Sequence, residues 1–209
     1  MLRAVIVDWA GVLALEPTPE ARARLRGLCA VDADDFESAW LRHRRPYDCG
    51  ELDAADYWRL AGLRNETLLD QVLAAEAEAW ARPNRPLAEW IPRLKAAGFR
   101  TAILSNVPRE QWLHVARFYQ TLLENCDELA LSFELGVAKP DERIFRVCLA
   151  NLGVKPTEAL FLDDQPENVN AAAALGLHAV RYTNVEELSV ELGVRFDGAL
   201  PGLVGDPAH

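Results

Sequence analysis

Four short segments of the chain carry side chains that could do chemistry together. Asp8 ends the apolar run Ala4-Val5-Ile6-Val7 and is followed by Gly11. A carboxylate at the carboxyl end of a buried strand, just before a turn, suits a nucleophile or a metal ligand. Ser105 and Asn106 close a second apolar run with small polar groups, Gly136-Val137-Ala138-Lys139-Pro140-Asp141 supplies one cation, and Leu160-Phe161-Leu162 ends in the paired acids Asp163-Asp164. Each has a plain structural alternative. Asp8 could be a strand-ending turn residue, Ser105-Asn106 a turn or a cap before Pro108, Lys139 a solvated cation, and the paired acids mutually repelling surface groups. Two acids directly behind an apolar run are nevertheless costly unless a cation or water is near, and it is the ordered set that argues for a site.

The elements that must position these groups are short. Runs rich in β-formers at Ala4 to Asp8, Arg100 to Ser105, Glu128 to Ser132, Ala159 to Asp163 and His178 to Tyr182 are separated, after residue 85, by helical segments. This is βαβ patterning, and it predicts an α/β fold with a Rossmann-like, mainly parallel sheet and helices on both faces. Ligands in such sheets bind at the carboxyl ends of strands, where Asp8, Ser105 and Asp163 all fall.

Between Leu15 and Arg85 there is no comparable strand. Helical periodicity over Glu20 to Cys29, Asp32 to Arg44, Ala54 to Leu63 and Glu66 to Trp80 predicts an inserted four-helix cap, with Asp32 and Asn65 as N-caps. Pro83-Asn84-Arg85-Pro86 reads as the return linker. The expected division is therefore 1–14 and 86–209 for the core and 15–85 for the cap. After Leu192 the Gly- and Pro-containing tail is expected to be loosely packed or disordered.

With 209 residues, half of them hydrophobic, the chain can bury one good core and a smaller second one. A formal charge of -10 argues against nucleic-acid or anionic-membrane partners, although a local basic pocket could still hold an anion. No apolar stretch approaches membrane-spanning length and the N-terminus shows no signal-peptide pattern, so a soluble, cytoplasmic monomer or homodimer is expected. Cys29, Cys49, Cys126 and Cys148 lack metal-ligand spacing and read as reduced packing thiols. Lys95, Lys139 and Lys155 are the three lysines among 22 basic residues, which makes Lys139 stand out.

Taken together, the four segments resemble the haloacid dehalogenase superfamily in its branch with a helical cap inserted after the first strand. The resemblance runs from Val5 to about Thr183, and Asp163-Asp164-Gln165-Pro166-Glu167-Asn168-Val169 followed by Leu175-Gly176 is similar to capped sugar-phosphate phosphatases and to the phosphatase domain of epoxide hydrolases. It implies a hydrolase in which Asp8 forms an aspartyl-phosphate with a small phosphorylated metabolite. Asp8, the carbonyl of Ala10, Asp163 and Asp164 would hold Mg2+, Ser105 and Asn106 would bind phosphate oxygens, and Lys139 would add fixed positive charge.

Position 10 departs from the pattern of many such phosphatases, whose Asp there protonates the leaving oxygen; a methyl group cannot. Relatives with a cap lysine forming a Schiff base are similar at Asp8-Trp9-Ala10-Gly11, but no Lys occurs between Met1 and Arg93. Metal-free dehalogenases also lack the second acid, yet their fourth motif does not resemble Asp163-Asp164. Two alternatives stay open: a catalytically weak binding or regulatory protein, and a dehalogenase-like hydrolase.

The cap segment Trp40-Leu41-Arg42-His43-Arg44-Arg45-Pro46-Tyr47-Asp48-Cys49-Gly50 concentrates basic residues before a glycine turn. Arg44, Arg45 and Tyr47 are expected to face the crevice and bind a second anionic group or hydroxyls. A solvated helix end, its basic residues complementing the helix dipole, is the other reading. His114 and His178 are expected on a helix face and a strand, and the six Trp in the cap and at the cap-core boundary.

Overall fold

The computed structural model describes residues 1–29 and 33–203. Strands β1 (Ala4–Val7), β2 (Arg100–Ser105), β3 (Glu128–Leu131), β4 (Ala159–Asp163) and β5 (His178–Arg181) form one sheet in the order β3-β2-β1-β4-β5. All neighbouring pairs are parallel. Side chains alternate across a strand, so a sheet covered on both faces must be apolar at successive positions. The central strand shows this directly: Val5 and Val7 enter one hydrophobic cluster while Ala4 and Ile6 enter the other.

Between β1 and β2 lie α1 (Pro19–Cys29), α2 (Ala33–Arg42), α3 (Arg44–Asp48), α4 (Ala54–Leu60), α5 (Leu69–Ala79) and α6 (Arg85–Ala96). The first five share a hydrophobic cluster of their own, built on Leu25, Phe36, Trp40, Tyr47, Tyr57, Trp58 and Val72. Where four helices are expected before α6, five form among the described residues. The segment expected to be helical from Asp32 to Arg44 stops at Arg42 and restarts at Arg44, because the ring of Pro46 would collide with the Arg42 carbonyl and offers it no N–H. The fourth expected helix begins as a 3-10 turn at Glu66–Leu68, with the Asn65 side chain accepting from the Thr67 amide as its cap. The expected cap at Asp32 lies outside the described residues.

After β2 come α7 (Arg109–Val115), α8 (Gln120–Leu123), α9 (Ser132–Leu135), α10 (Glu142–Leu152), α11 (Pro166–Ala174) and α12 (Val185–Phe196). One sheet face carries α6, α7 and α12 through Leu87, Trp90, Ile91, Trp112, Leu188 and Leu192. The other carries α10 and α11 through Ile144, Phe145, Cys148 and Ala172. The return linker is fixed by Asn84, whose buried amide donates to the Val12 carbonyl at 2.8 Å and to the Tyr182 hydroxyl at 2.7 Å.

As far as Leu203 the tail departs from its expected looseness; residues 204–209 lie outside the described residues. Helix α12 continues to Phe196, Leu203 is buried against the core, and the Pro201 and Leu203 carbonyls accept from Trp90 Nε1 at 2.7 Å and from Arg93 at 2.6 Å. Two side-chain donors on α6 thus hold the segment down. Among the described residues no helix is long and apolar enough to cross a membrane. The four cysteines are free thiols, three of them buried.

Candidate active site

The parallel sheet brings the carboxyl ends of β1, β2 and β4 side by side, and the chemistry-bearing side chains gather there. The Asp8 amide continues the ladder by donating to the Leu162 carbonyl at 2.9 Å, so the residue is held in register with β4 as its side chain leaves the sheet. Its carboxylate accepts from the Trp9 amide at 2.6 Å and from Lys139 Nζ at 2.8 Å.

Lys139 is buried among acceptors. Its ammonium lies 2.6 Å from Asp163 Oδ2, 2.8 Å from Asp8 Oδ1 and 2.8 Å from the Leu104 carbonyl. Burial alone would depress its pKa, but the two carboxylates outweigh it and hold the lysine above its ordinary value. Asp163 is fully enclosed; it accepts from the Gln165 amide and from the Asn168 amide group at 3.0 and 3.1 Å. Its orientation is thus fixed from both sides.

Asp8, Asp163 and Asp164 each offer a carboxylate oxygen within 4.8 Å of the others. Burial drives the Asp8 carboxyl well above the usual range; Lys139 opposes that, while Asp163 and Asp164 reinforce it. Asp164 is raised by burial and by Asp163. Three clustered acids against one ammonium leave an excess of negative charge. Hard carboxylate oxygens in this number and spacing fit a small divalent cation such as Mg2+. Gly11 makes room for the third acid: its φ is +78°, and a Cβ there would sit 2.9 Å from Asp164 Cγ.

Ser105 ends β2 with a fully buried hydroxyl that finds no hydrogen-bond partner among the described residues. Asn106 does not cap the next helix; its amide accepts from the Lys139 backbone N–H at 2.8 Å and donates to the Lys139 carbonyl at 3.0 Å, fastening the lysine loop to β2.

Above these groups is a cavity of about 230 Å³ lined by Trp9, Ala10, Glu16, Arg22, Trp40, Leu41, Arg44, Trp80, Asn106, Val107 and Gln111. Arg44 reaches this wall, with its guanidinium held by Asp48 at 2.8 Å, Glu76 at 2.5 Å and the Gln111 side chain. Arg45 donates instead to the Lys139 carbonyl at 3.2 Å. Tyr47 is not on the wall: it is buried in the cap, stacked on Tyr57 with centroids 4.1 Å apart, because α3 turns its apolar side toward α4.

Sequence reasoning missed Asn168, Gln111 and Glu76. Asn168 sat inside the quoted 163–169 motif and was legible there in principle. Glu76 and Gln111 carried no local signal, since only the closed chain sets them against Arg44. The histidines hold local roles, His114 on the Glu110 carbonyl and His178 on that of Thr157.

Residues 2–176 match the model of the haloacid dehalogenase-like hydrolases. The chain is 31% identical to (S)-2-haloacid dehalogenase 4A of Burkholderia cepacia over 195 residues, covering 86% of this chain and 82% of that one. It is 36% identical to acyl-CoA dehydrogenase family member 10 of Mus musculus over 116 residues, 51% of this chain, but spans only 10% of that protein. In fold it is similar to the enzyme bt-2542 of Bacteroides thetaiotaomicron, with a TM-score of 0.78, 20% identity, and coverage of 91% of this chain and 98% of that one. A second structure of bt-2542, in complex with magnesium and inorganic phosphate, has a TM-score of 0.71 at 19% identity, covering 88% and 95%.

Proposed function

The chain belongs to the haloacid dehalogenase-like hydrolases, and from that premise we propose that it is a Mg2+-dependent phosphatase of small phosphorylated metabolites. The observation that carries this reading is the convergence of Asp163 and Asp164 on Asp8. A hydrolase using Asp8 alone would have no need to hold two further acids around its nucleophile. In a phosphatase, Asp8, the Ala10 carbonyl, Asp164 and Asp163 would hold the cation. Bound there, magnesium would offset the charge of the carboxylates and of an incoming phosphoryl group.

The chain's own residues do the rest. Asp8 Oδ attacks phosphorus as the P–O bond to the leaving group breaks, giving an aspartyl-phosphate; water then attacks that phosphorus and returns Asp8 as a carboxylate with release of phosphate. Lys139 opposes the burial that favours the protonated form of Asp8 and faces the transferred charge, and the Ser105 hydroxyl and Asn106 lie at the strand end where phosphate oxygens would sit. The 15–85 segment acts as the cap over residues 1–14 and 86–209, and the work is done as a monomer or homodimer in the cytoplasm without nucleic-acid or membrane partners.

The test is phosphate release from a panel of small phosphate esters with magnesium and with excess chelator. Activity that requires magnesium and vanishes in Asp8→Asn is the expected result. A second reading, a 2-haloacid dehalogenase, draws on the methyl group of Ala10 and the Arg44 guanidinium on the cavity wall; halide release that persists in chelator would establish it instead. Absence of both activities would favour a binding or regulatory role.

A further inference from the structure

Resting on the phosphatase reading, the cavity beside Ala10 narrows the substrate. We propose that the leaving group is a single uncharged aromatic ring, so that the physiological esters are aryl phosphates. Two independent observations converge on this.

The first is the wall. Trp9, Trp40, Leu41, Trp80 and Val107 make it apolar, and its volume is about 230 Å³, against the roughly 150 Å³ that suffices for benzene in an apolar cavity. Its charged side chains and the Asn106 amide are already committed to the protein. Arg22 pairs with Glu16 at 2.7 Å and lies near Glu37, and Arg44 uses all three guanidinium nitrogens on Asp48, Glu76 and Gln111. Both faces of the Asn106 amide are taken by Lys139. A leaving group carrying a second charge would find every charged side chain of the wall already paired, and one rich in hydroxyls would meet mainly indole and aliphatic surface and lose its hydration on entry. An aromatic ring loses nothing of that kind and gains rigid indole surfaces.

The second is the absence of an acid where a leaving oxygen would emerge. At position 10 the wall presents a methyl group, and Glu16, the one acid among the described lining residues, is half-exposed and held by Arg22. An alkoxide, comparable to hydroxide and a far stronger base than a phenolate, needs a proton to leave. A phenolate, whose conjugate acid lies near about 10 as in tyrosine, departs with the electron pair of the P–O bond and takes its proton from solvent. The ring that fits the wall is thus also the leaving group that needs no acid.

The experiment compares phenyl, benzyl, ethyl and acetyl phosphate with the magnesium-loaded protein, and measures binding of the uncleavable phenylphosphonate by tryptophan fluorescence. Phenyl phosphate should have a KM about tenfold to a hundredfold below that of acetyl phosphate, the range expected from burying a ring. Benzyl phosphate should compete at similar concentration yet turn over far more slowly, because its ring fits but its alkoxide needs a proton. Leu41→Asp, a change at an exposed wall position, should reduce the phenyl-over-acetyl preference and weaken phenylphosphonate binding. Equal KM values for phenyl and ethyl phosphate, or benzyl turnover as fast as phenyl, would overturn the proposal while leaving the phosphatase reading intact. Failure to cleave even acetyl phosphate would overturn that reading itself, and this proposal with it.

Discussion

Gly11 shows how much of the site depends on an atom that is missing. Its positive φ and the 2.9 Å approach of Asp164 leave no space for a methyl group. Gly11→Ala should therefore lower stability by about 1–3 kcal/mol and displace Asp164, weakening magnesium binding. Chemical denaturation and titration calorimetry would read the two effects separately; unchanged magnesium affinity would detach Asp164 from the metal. The neighbouring methyl group has the opposite character, because it fills space without chemistry. Ala10→Asp should raise turnover on ethyl phosphate relative to phenyl phosphate, measured as a ratio of kcat values, by supplying the proton an alkoxide requires. A ratio that does not move would show that proton transfer is not limiting.

Among the elements, α3 carries the most consequence for its length. It sends Arg44 to Gln111 on α7, Arg45 to the lysine loop, and the Asp48 carbonyl to the Ser132 hydroxyl at the start of α9. Burial pushes the Asp48 carboxyl up to about 6, against the pull of Arg44. The folded protein thus binds this proton more tightly than the unfolded chain does. The contribution is fully present below about pH 4 and is lost as pH rises through about 6, with a slope of up to about 1.4 kcal/mol per pH unit. Asp48→Asn keeps an acceptor for Arg44 and should flatten that part of the profile when melting temperature is followed from pH 4 to 7; an identical slope in both proteins would refute the assignment. Arg44→Ala would be harsher, leaving Glu76 and Asp48 buried without their cation at a cost of about 3–5 kcal/mol. Asp48 was not read as a partner of Arg44, because the expected helix ended at Arg44 and the i, i+4 spacing exists only once α3 forms. Glu76 and Gln111 were not legible either, since their meeting depends on how α5 and α7 pack. The break before α3 was written in Pro46, whose effect reaches back four residues to Arg42.

For the whole molecule, the sheet was the part most open to sequence reasoning. Burial on both faces demands continuous apolar runs, and parallel pairing puts all their carboxyl ends at one edge, so Asp8, Ser105 and Asp163 could be placed together from patterning alone. The tail as far as Leu203 was misjudged for the converse reason: composition rich in Gly and Pro carries no record of which carbonyls a distant helix will use. Deleting residues from Gly198 onward should uncover Trp90 and Arg93 and cost about 2–3 kcal/mol through loss of the buried Leu203 and two hydrogen bonds. Differential scanning calorimetry would show the loss, and an unchanged melting temperature would mean the segment contributes nothing.

The central position of β1 also governs the order of events during synthesis. Ala4 has Arg100 as its neighbour on one side and Ala159 on the other. The strand that emerges first therefore waits for both of its partners while the whole α1–α5 segment, with its own hydrophobic cluster, leaves the ribosome and can collapse. Until β2 arrives, Ala4-Val5-Ile6-Val7 is an unpaired apolar ribbon. Such long-range closure makes for slow assembly and a window for aggregation, and the nascent chain should gain protease resistance in two steps, the helical insertion before the sheet.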